Sequence, residues 1–223
     1  MPPALRPSYA GGQQINDDPP LYLFEQFVSQ EEADHLVDMA RSQLSPSLVS
    51  GEGEGVPSEG RSGGVHWVPH NTTPITQALS ERVAYLVGLP LENCESIQVI
   101  HYSEGEEYKP HFDAWLENTD TGRRCLARGG QRLVTCLAYL SEVEAGGGTF
   151  FPKLDVEVMP RQGRLVLFHN CYQGSSDRHP SSLHGGLPVL SGEKWACNFW
   201  FRESAYRYPQ SNDLVPTATT RRY

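Results

Sequence analysis

The residues best placed to do chemistry stand in Tyr102-Ser-Glu-Gly105-Glu-Glu-Tyr108-Lys-Pro-His111-Phe-Asp113. They follow a strand-like run, and side chains two positions apart on a strand share a face. His111 and Asp113 can therefore present an imidazole nitrogen and a carboxylate oxygen to one point, with Phe112 turned away. That is two thirds of the set of two histidines and one carboxylate that leaves positions open on a ferrous ion. Such a pair alone is a weak signal, because short motifs arise by chance.

The third ligand must come from a strand that faces the first. Of eight histidines, His101, His111, His169, His179 and His184 lie in the strand-rich half. His101 is one pleat out of phase with Tyr102 and reads as a packed or surface imidazole. His179 precedes Pro180 in a polar loop and reads as solvated. His169 ends an apolar strand, and His184 sits beside Gly185 and Gly186, which let backbone approach closely. Both remain candidates. Lys194 opens Lys-Trp-Ala-Cys-Asn-Phe-Trp-Phe201. Alternation puts Lys194, Ala196, Asn198 and Trp200 on a mixed face, and Trp195, Cys197, Phe199 and Phe201 on an apolar one. Most lysines end in solvent. One aimed into a cavity needs an anion, which a dicarboxylate chelating the metal by its other end supplies.

The elements that must position these residues follow from local signals. Leu21–Phe27 predicts a first strand. Ser29-Gln-Glu-Glu32 is a capping box, followed by Ala33, Leu36, Val37, Ala40 and Leu44 at helical spacing. Thr73-Pro74 opens a second helix, with Ile75, Leu79, Val83 and Leu86 as its stripe and Gly88 and Pro90 ending it. Short strands come after: Ile97–Tyr102, Arg132–Leu140, Thr149–Phe151, Val156–Val158, Leu165–Phe168 and Lys194–Phe201. The pattern predicts a mainly β antiparallel sandwich or barrel with the N-terminal helices packed outside one sheet. Residues 51–64, mostly Gly, Glu and Ser, predict a long loop, a lid or a surface insertion. Residues 1–19 read as a loose arm, 20–205 as the domain and 206–223 as a tail.

Composition narrows the function. Hydrophobic content of 38% and charged content of 20% suit a packed core. Lys and Arg number 18 against 27 Asp and Glu, a formal charge of −9. An acidic chain binds nucleic acid or anionic membrane poorly, and accommodates a basic or neutral polypeptide more easily. No apolar run approaches a bilayer-spanning length, and the start has no basic and apolar leader pattern. Five scattered cysteines form no framework, which predicts a reducing, cytoplasmic setting.

With these residues in view, the chain resembles the prolyl 4-hydroxylase family of Fe(II)- and 2-oxoglutarate-dependent dioxygenases. The matching pieces are Tyr102-x-x-Gly105-x-x-Tyr108-x-x-His111-x-Asp113, Tyr139-Leu140-Ser141, and Gly146-Gly-Gly-Thr149-Phe-Phe-Pro152. Gly163 with Leu165-Val-Leu-Phe168 follows, then Ser182-Leu-His184-Gly-Gly-x-Pro188-Val-x-x-Gly192-Glu-Lys194-Trp195. Phe27–Asp34 and Arg61-Ser62 resemble the entry segment.

The resemblance implies a double-stranded β-helix (jelly roll), with His111, Asp113 and His184 as iron ligands. It implies Lys194 on the distal carboxylate of 2-oxoglutarate, and Tyr102, Tyr139 and Thr149 in the cosubstrate pocket. Trp200 matches an aromatic near the metal, and Arg132 and Arg202 fall near substrate-placing positions. The implied reaction is oxygen-dependent hydroxylation of an unactivated C–H, releasing succinate and CO2, with ascorbate as an auxiliary. The expected substrate is a peptidyl proline. The alternatives are a free amino acid or other small molecule, or a metal-binding jelly roll without turnover. A zinc hydrolase would need a placed general base, and none is evident. The chain departs from the family's usual Glu at Gly148, its usual Lys at Phe199, and its small polar run at Gly63–Trp67.

Overall fold

The computed structural model describes residues 1–47 and 60–208. In chain order come strands β1 (Gln13–Asp17) and β2 (Pro20–Phe24), helix α1 (Gln30–Arg41), β3 (Ser45–Pro46), β4 (Gly64–Val68) and helix α2 (Pro74–Val87). Then follow β5 (Ile97–Tyr102), β6 (Tyr108–His111), helix α3 (Asp120–Leu126), β7 (Arg132–Tyr139), β8 (Ala145–Gly146) and β9 (Thr149–Phe151). The last are β10 (Val156–Val158), β11 (Leu165–His169), β12 (His184–Gly186), β13 (Val189–Ser191) and β14 (Lys194–Arg202).

Local chemistry explains the helices. The Ser29 hydroxyl accepts from the Glu32 N–H, and the Glu32 carboxylate accepts from the Ser29 N–H, so both ends of the capping box are closed. Helix α1 then buries Ala33, Leu36 and Ala40. Thr73 caps α2 with Pro74 in its first turn, and Gly88 ends it at φ 81°, a left-handed conformation that suits glycine. Leu79, Val83 and Val87 are its buried stripe. Helix α3 was not legible: Asp-Thr-Gly-Arg-Arg-Cys-Leu has no apolar stripe, and its cap at Thr119 carries it.

The strands build a large sheet in the order β1-β2-β11-β7-β14-β5-β4-β3, a four-stranded sheet β10-β9-β12-β6 and a small pair β13-β8. All pairings are antiparallel. One core cluster joins α1 and α2 to one face of the large sheet and includes Trp195, Cys197, Phe199 and Phe201. A second cluster contains Tyr102, Tyr139, Phe151, Val158, Phe168 and Ala196, from both the large sheet and the smaller one. This is the expected jelly roll with its helices outside one sheet. The two faces of β14 serve the two sides: its apolar face packs under the helices, and its mixed face looks into the interior.

Two stretches differ from expectation. The first strand stops at Phe24, because Gln26 turns into the left-handed region at φ 53° and breaks the ladder. Phe27 and Val28 instead donate to the Gly163 carbonyl. Residues 1–19 are not a loose arm throughout. Gln13–Asp17 pairs with β2, which satisfies the backbone groups an edge strand would leave open. Tyr9 is buried, and its hydroxyl meets His169 Nε2 at 2.8 Å. At the other end, Tyr206 donates its N–H to Glu92 O. The greater part of the long loop at 51–64, and of the expected tail, lies outside the described residues.

Candidate active site

Strands β6 and β12 pair so that His184 stands directly opposite His111. Their ring centroids lie 4.5 Å apart. Asp113 follows β6 on the same side as His111. His111 Nε2 lies 3.6 Å from Asp113 Oδ1, and His184 Nε2 lies 3.7 Å from Asp113 Oδ2. These gaps exceed hydrogen-bond length, and one ligand atom from each residue falls within 4.8 Å of the others. Among the described residues, this is the one His, Cys, Asp and Glu group found that could hold a metal ion.

The atoms around the trio fix what each can offer. His111 Nδ1 pairs with Lys109 O at 3.0 Å, and His184 Nδ1 with Ser182 O at 2.8 Å. A carbonyl only accepts, so each Nδ1 carries the proton and each Nε2 keeps its lone pair for a metal. Burial pushes His184 down to about 4, which keeps it neutral at pH 7. Burial raises the Asp113 carboxyl, but the facing imidazoles, His184 foremost, outweigh it and hold it well below the usual carboxylate range. Asp113 Oδ2 accepts from Trp200 Nε1 at 2.8 Å and from Thr135 Oγ1 at 2.7 Å. Asn170 Nδ2 donates in turn to Thr135 Oγ1 at 2.8 Å. Two imidazole nitrogens and one carboxylate, each held by a second contact, fit a ferrous ion with open positions.

Deeper in the same interior lies Lys194, 2% exposed. Its Nζ donates to Gly147 O at 2.6 Å and lies 5.4 Å from the Tyr139 ring and 5.8 Å from the Tyr102 ring. Burial alone brings it down to about 8. Thr149 and Tyr102 line this pocket with Lys194, His111, Asp113 and His184. Tyr139 reaches it through Thr149: its hydroxyl donates to Thr149 Oγ1 at 2.6 Å and also meets Val158 O at 3.1 Å. A buried ammonium on the metal side of the sheet, with no carboxylate beside it among the described residues, fits the far end of a dicarboxylate.

The metal side opens into a groove of about 490 Å³ lined by His111, Asp113, Trp200, Arg132, Trp67 and Trp115 among others. Arg132 lies over Trp200 with its guanidinium carbon 3.8 Å from the ring centroid. Glu95 holds it by contacts of 2.6 and 2.8 Å. Arg202 is elsewhere. It is 2% exposed, shares Glu95 Oε1 at 2.7 Å and donates to Cys125 O and Gly130 O. It supports the wall from behind and does not line the groove.

The remaining histidines also resolve. His169 is tied to Tyr9, away from the trio. His101 packs on Trp195 at 4.3 Å and meets Glu193 at 2.8 Å. The expectation that His179 is solvated is corrected: it is 4% exposed, accepts from the Ser181 N–H and packs against Tyr172. Proline after it starts a tight turn that folds the ring inward. Sequence reasoning did not single out Trp67, Trp115, Gln98 or Arg178, all lining the groove. Trp67, 43% exposed on a strand, and Trp115 were the two with a signal in their residue type.

A jelly roll with this ligand trio and a buried lysine defines a mononuclear iron oxygenase that takes a dicarboxylate cosubstrate. The comparisons agree. The profile described as the 2OG-Fe(II) oxygenase superfamily matches residues 97–202. The chain is 37% identical to prolyl 4-hydroxylase 1 of Arabidopsis thaliana, over 86% of this chain and 71% of that protein. It is 34% identical to probable prolyl 4-hydroxylase 7 of the same plant, over 86% of this chain and 66% of that one. The structure of a viral collagen prolyl hydroxylase from Paramecium Bursaria Chlorella virus-1, a 2OG complex, superposes with a TM-score of 0.64 at 25% identity. That match covers 81% of this chain and 94% of the viral one. The chain belongs to the prolyl 4-hydroxylase family. It is a 2-oxoglutarate-dependent dioxygenase that uses Fe(II), 2-oxoglutarate and O2. Among the described residues, no helix is long and apolar enough to cross a membrane.

Proposed function

We propose that the chain hydroxylates C4 of a proline within a peptide. The observation that carries this is the groove beside the trio. It continues into a second cavity of about 420 Å³ that shares Trp115, Leu116 and Arg178 with it. Two adjoining cavities with shared walls suit an extended chain, and one free amino acid would leave most of that space empty. Its aromatic walls suit the ring and extended backbone of a proline segment.

His111, Asp113 and His184 hold the iron through Nε2, a carboxylate oxygen and Nε2. Lys194 holds the distal carboxylate of 2-oxoglutarate by a charged hydrogen bond, with Tyr102 and Thr149 beside it. Together the iron and its cosubstrate supply the oxidising chemistry that turns C–H into C–OH, with release of succinate and CO2. Trp200 and Thr135 fix Asp113, and Tyr139 fixes the Thr149 hydroxyl. Trp200 and Arg132 form the wall against which the peptide is positioned. Ascorbate would serve as an auxiliary reductant. Five free, buried thiols suit a reducing, cytoplasmic setting.

The test is mass spectrometry after incubation with Fe(II), 2-oxoglutarate, O2 and either proline-containing peptides or free proline. The expected result is one added oxygen on peptide proline, matched by succinate and absent in Asp113→Ala. Oxygen gained by free proline alone would reject the peptide reading.

A further inference from the structure

Arg178 has no part in the roles above. Its guanidinium carbon lies 3.8 Å over the Phe112 ring, and Phe112 separates His111 from Asp113. No ion pair to it is found among the described residues, and partial burial lowers it from the usual guanidinium range. Its backbone is anchored by a bridge to Cys171 and by the His179 N–H on Asn170 O. A guanidinium lying flat on a ring keeps its in-plane N–H edge available, and that edge matches a carboxylate.

The surroundings favour an anion. Arg61, Lys109, Arg132 and Arg178 line the groove, and Asp113 is the carboxylate among its described lining residues. Asp113 is committed to the metal. Arg132 is paired with Glu95, so Lys109 and Arg178 are what give the groove its positive character in a chain of net charge −9, opposite to the partner that bulk charge suggests.

We propose that Arg178 binds the side-chain carboxylate of an Asp or Glu that flanks the target proline, making acidic proline-bearing peptides the preferred substrates. A side chain is indicated over a chain terminus because the groove runs on past Arg178 into the second cavity. That cavity carries Glu117, Asp177 and Glu203. The acidic residue therefore belongs at Arg178 and not further along. The inference rests on the peptide-hydroxylase reading for the identity of the groove's occupant.

The test uses the full chain with Mn(II) in place of iron and 2-oxoglutarate present, so that binding is read without turnover. Fluorescein-labelled, C-terminally amidated peptides carry one proline and a glutamate scanned through the flanking positions. Matched peptides carry glutamine there, and a further set carries glutamine with a free C-terminal carboxylate. Fluorescence anisotropy is expected to show one glutamate position binding roughly tenfold tighter than its glutamine match, the scale of one charged hydrogen-bonded contact. Arg178→Gln is expected to erase that difference, and Arg178→Lys to keep part of it. Equal binding of all peptides, a gain confined to the free terminus, or equal weakening of every peptide by Arg178→Gln would overturn the proposal. Mass spectrometry of the same peptides with Fe(II) and O2 tests the hydroxylase reading separately: tight, glutamate-dependent binding with no added oxygen sinks that reading alone.

Discussion

Lys194→Met isolates what the buried ammonium does. In the free protein Lys194 has Gly147 O as its hydrogen-bond acceptor, and burial brings it from 10.5 to about 8. At about 1.4 kcal/mol per pKa unit, holding the charge costs the folded state about 3 kcal/mol. The folded value lies below the unfolded one, so between pH 8 and 10.5 the unfolded chain holds more protons. Stability of the ligand-free protein therefore rises with pH through that window, and the cost is fully present below it. Methionine has similar bulk and no charge. The variant is expected to be more stable than wild type at pH 7, by up to about 3 kcal/mol on the same scale, and to lack the rise above pH 8. It should also lose the stabilisation that 2-oxoglutarate gives wild type in the presence of Mn(II). Wild-type affinity for 2-oxoglutarate should fall above about pH 8, as the ammonium loses its proton. Urea denaturation at pH 7 and 10, with and without 2-oxoglutarate, reads all of this. A methionine variant that is no more stable and binds 2-oxoglutarate as wild type does would refute the reasoning.

Three further outcomes are expected. Trp200→Phe removes the indole N–H from Asp113 Oδ2 and should weaken Fe(II) binding about 10- to 100-fold; calorimetric titration under nitrogen checks it, and unchanged affinity would contradict the orienting role. Glu95→Ala strands the half-buried Arg132 and the buried Arg202, and should lower stability by about 3–5 kcal/mol in chemical denaturation. Burial pushes His169 down to about 4, below its unfolded value, so stability present above pH 6.5 is lost as pH falls toward 4. A His169→Gln variant should show a shallower acid slope in denaturation midpoints between pH 7 and 4.5.

What was legible in the sequence was local. The capping box at Ser29 and Glu32, the Thr73-Pro74 start and the Gly88 stop are decided within one turn of helix, and the structure has all three. Strand alternation placed Lys194, Asn198 and Trp200 correctly on one face of β14 and Phe199 in the core under the helices. What composition and pattern left open was pairing. His184 meets His111 only because β12 adds to β6, a contact between distant segments that no local period encodes. The resemblance supplied that choice over His169. Arg202 illustrates the opposite failure. Its position suggested substrate, but Glu95, brought in from before β5, captures it behind the wall. His179 looked solvated for want of the Tyr172 ring that covers it. At Gly148, where the resemblance leads one to expect glutamate, the Glu157 side chain occupies the place a Cβ would take.

Strand β14 carries one more consequence. Its opposite faces have incompatible tastes, one wanting only hydrocarbon and the other a charge, an amide and an indole N–H. Slipping β14 by a single residue against β7 and β5 would invert every side chain. Lys194 would be driven under helices α1 and α2, and Trp195 and Phe199 would plug the iron chamber. A misthreaded chain thus fails on both sides at once, and the same nine residues that complete the catalytic chamber also proofread the assembly of the sheet around it.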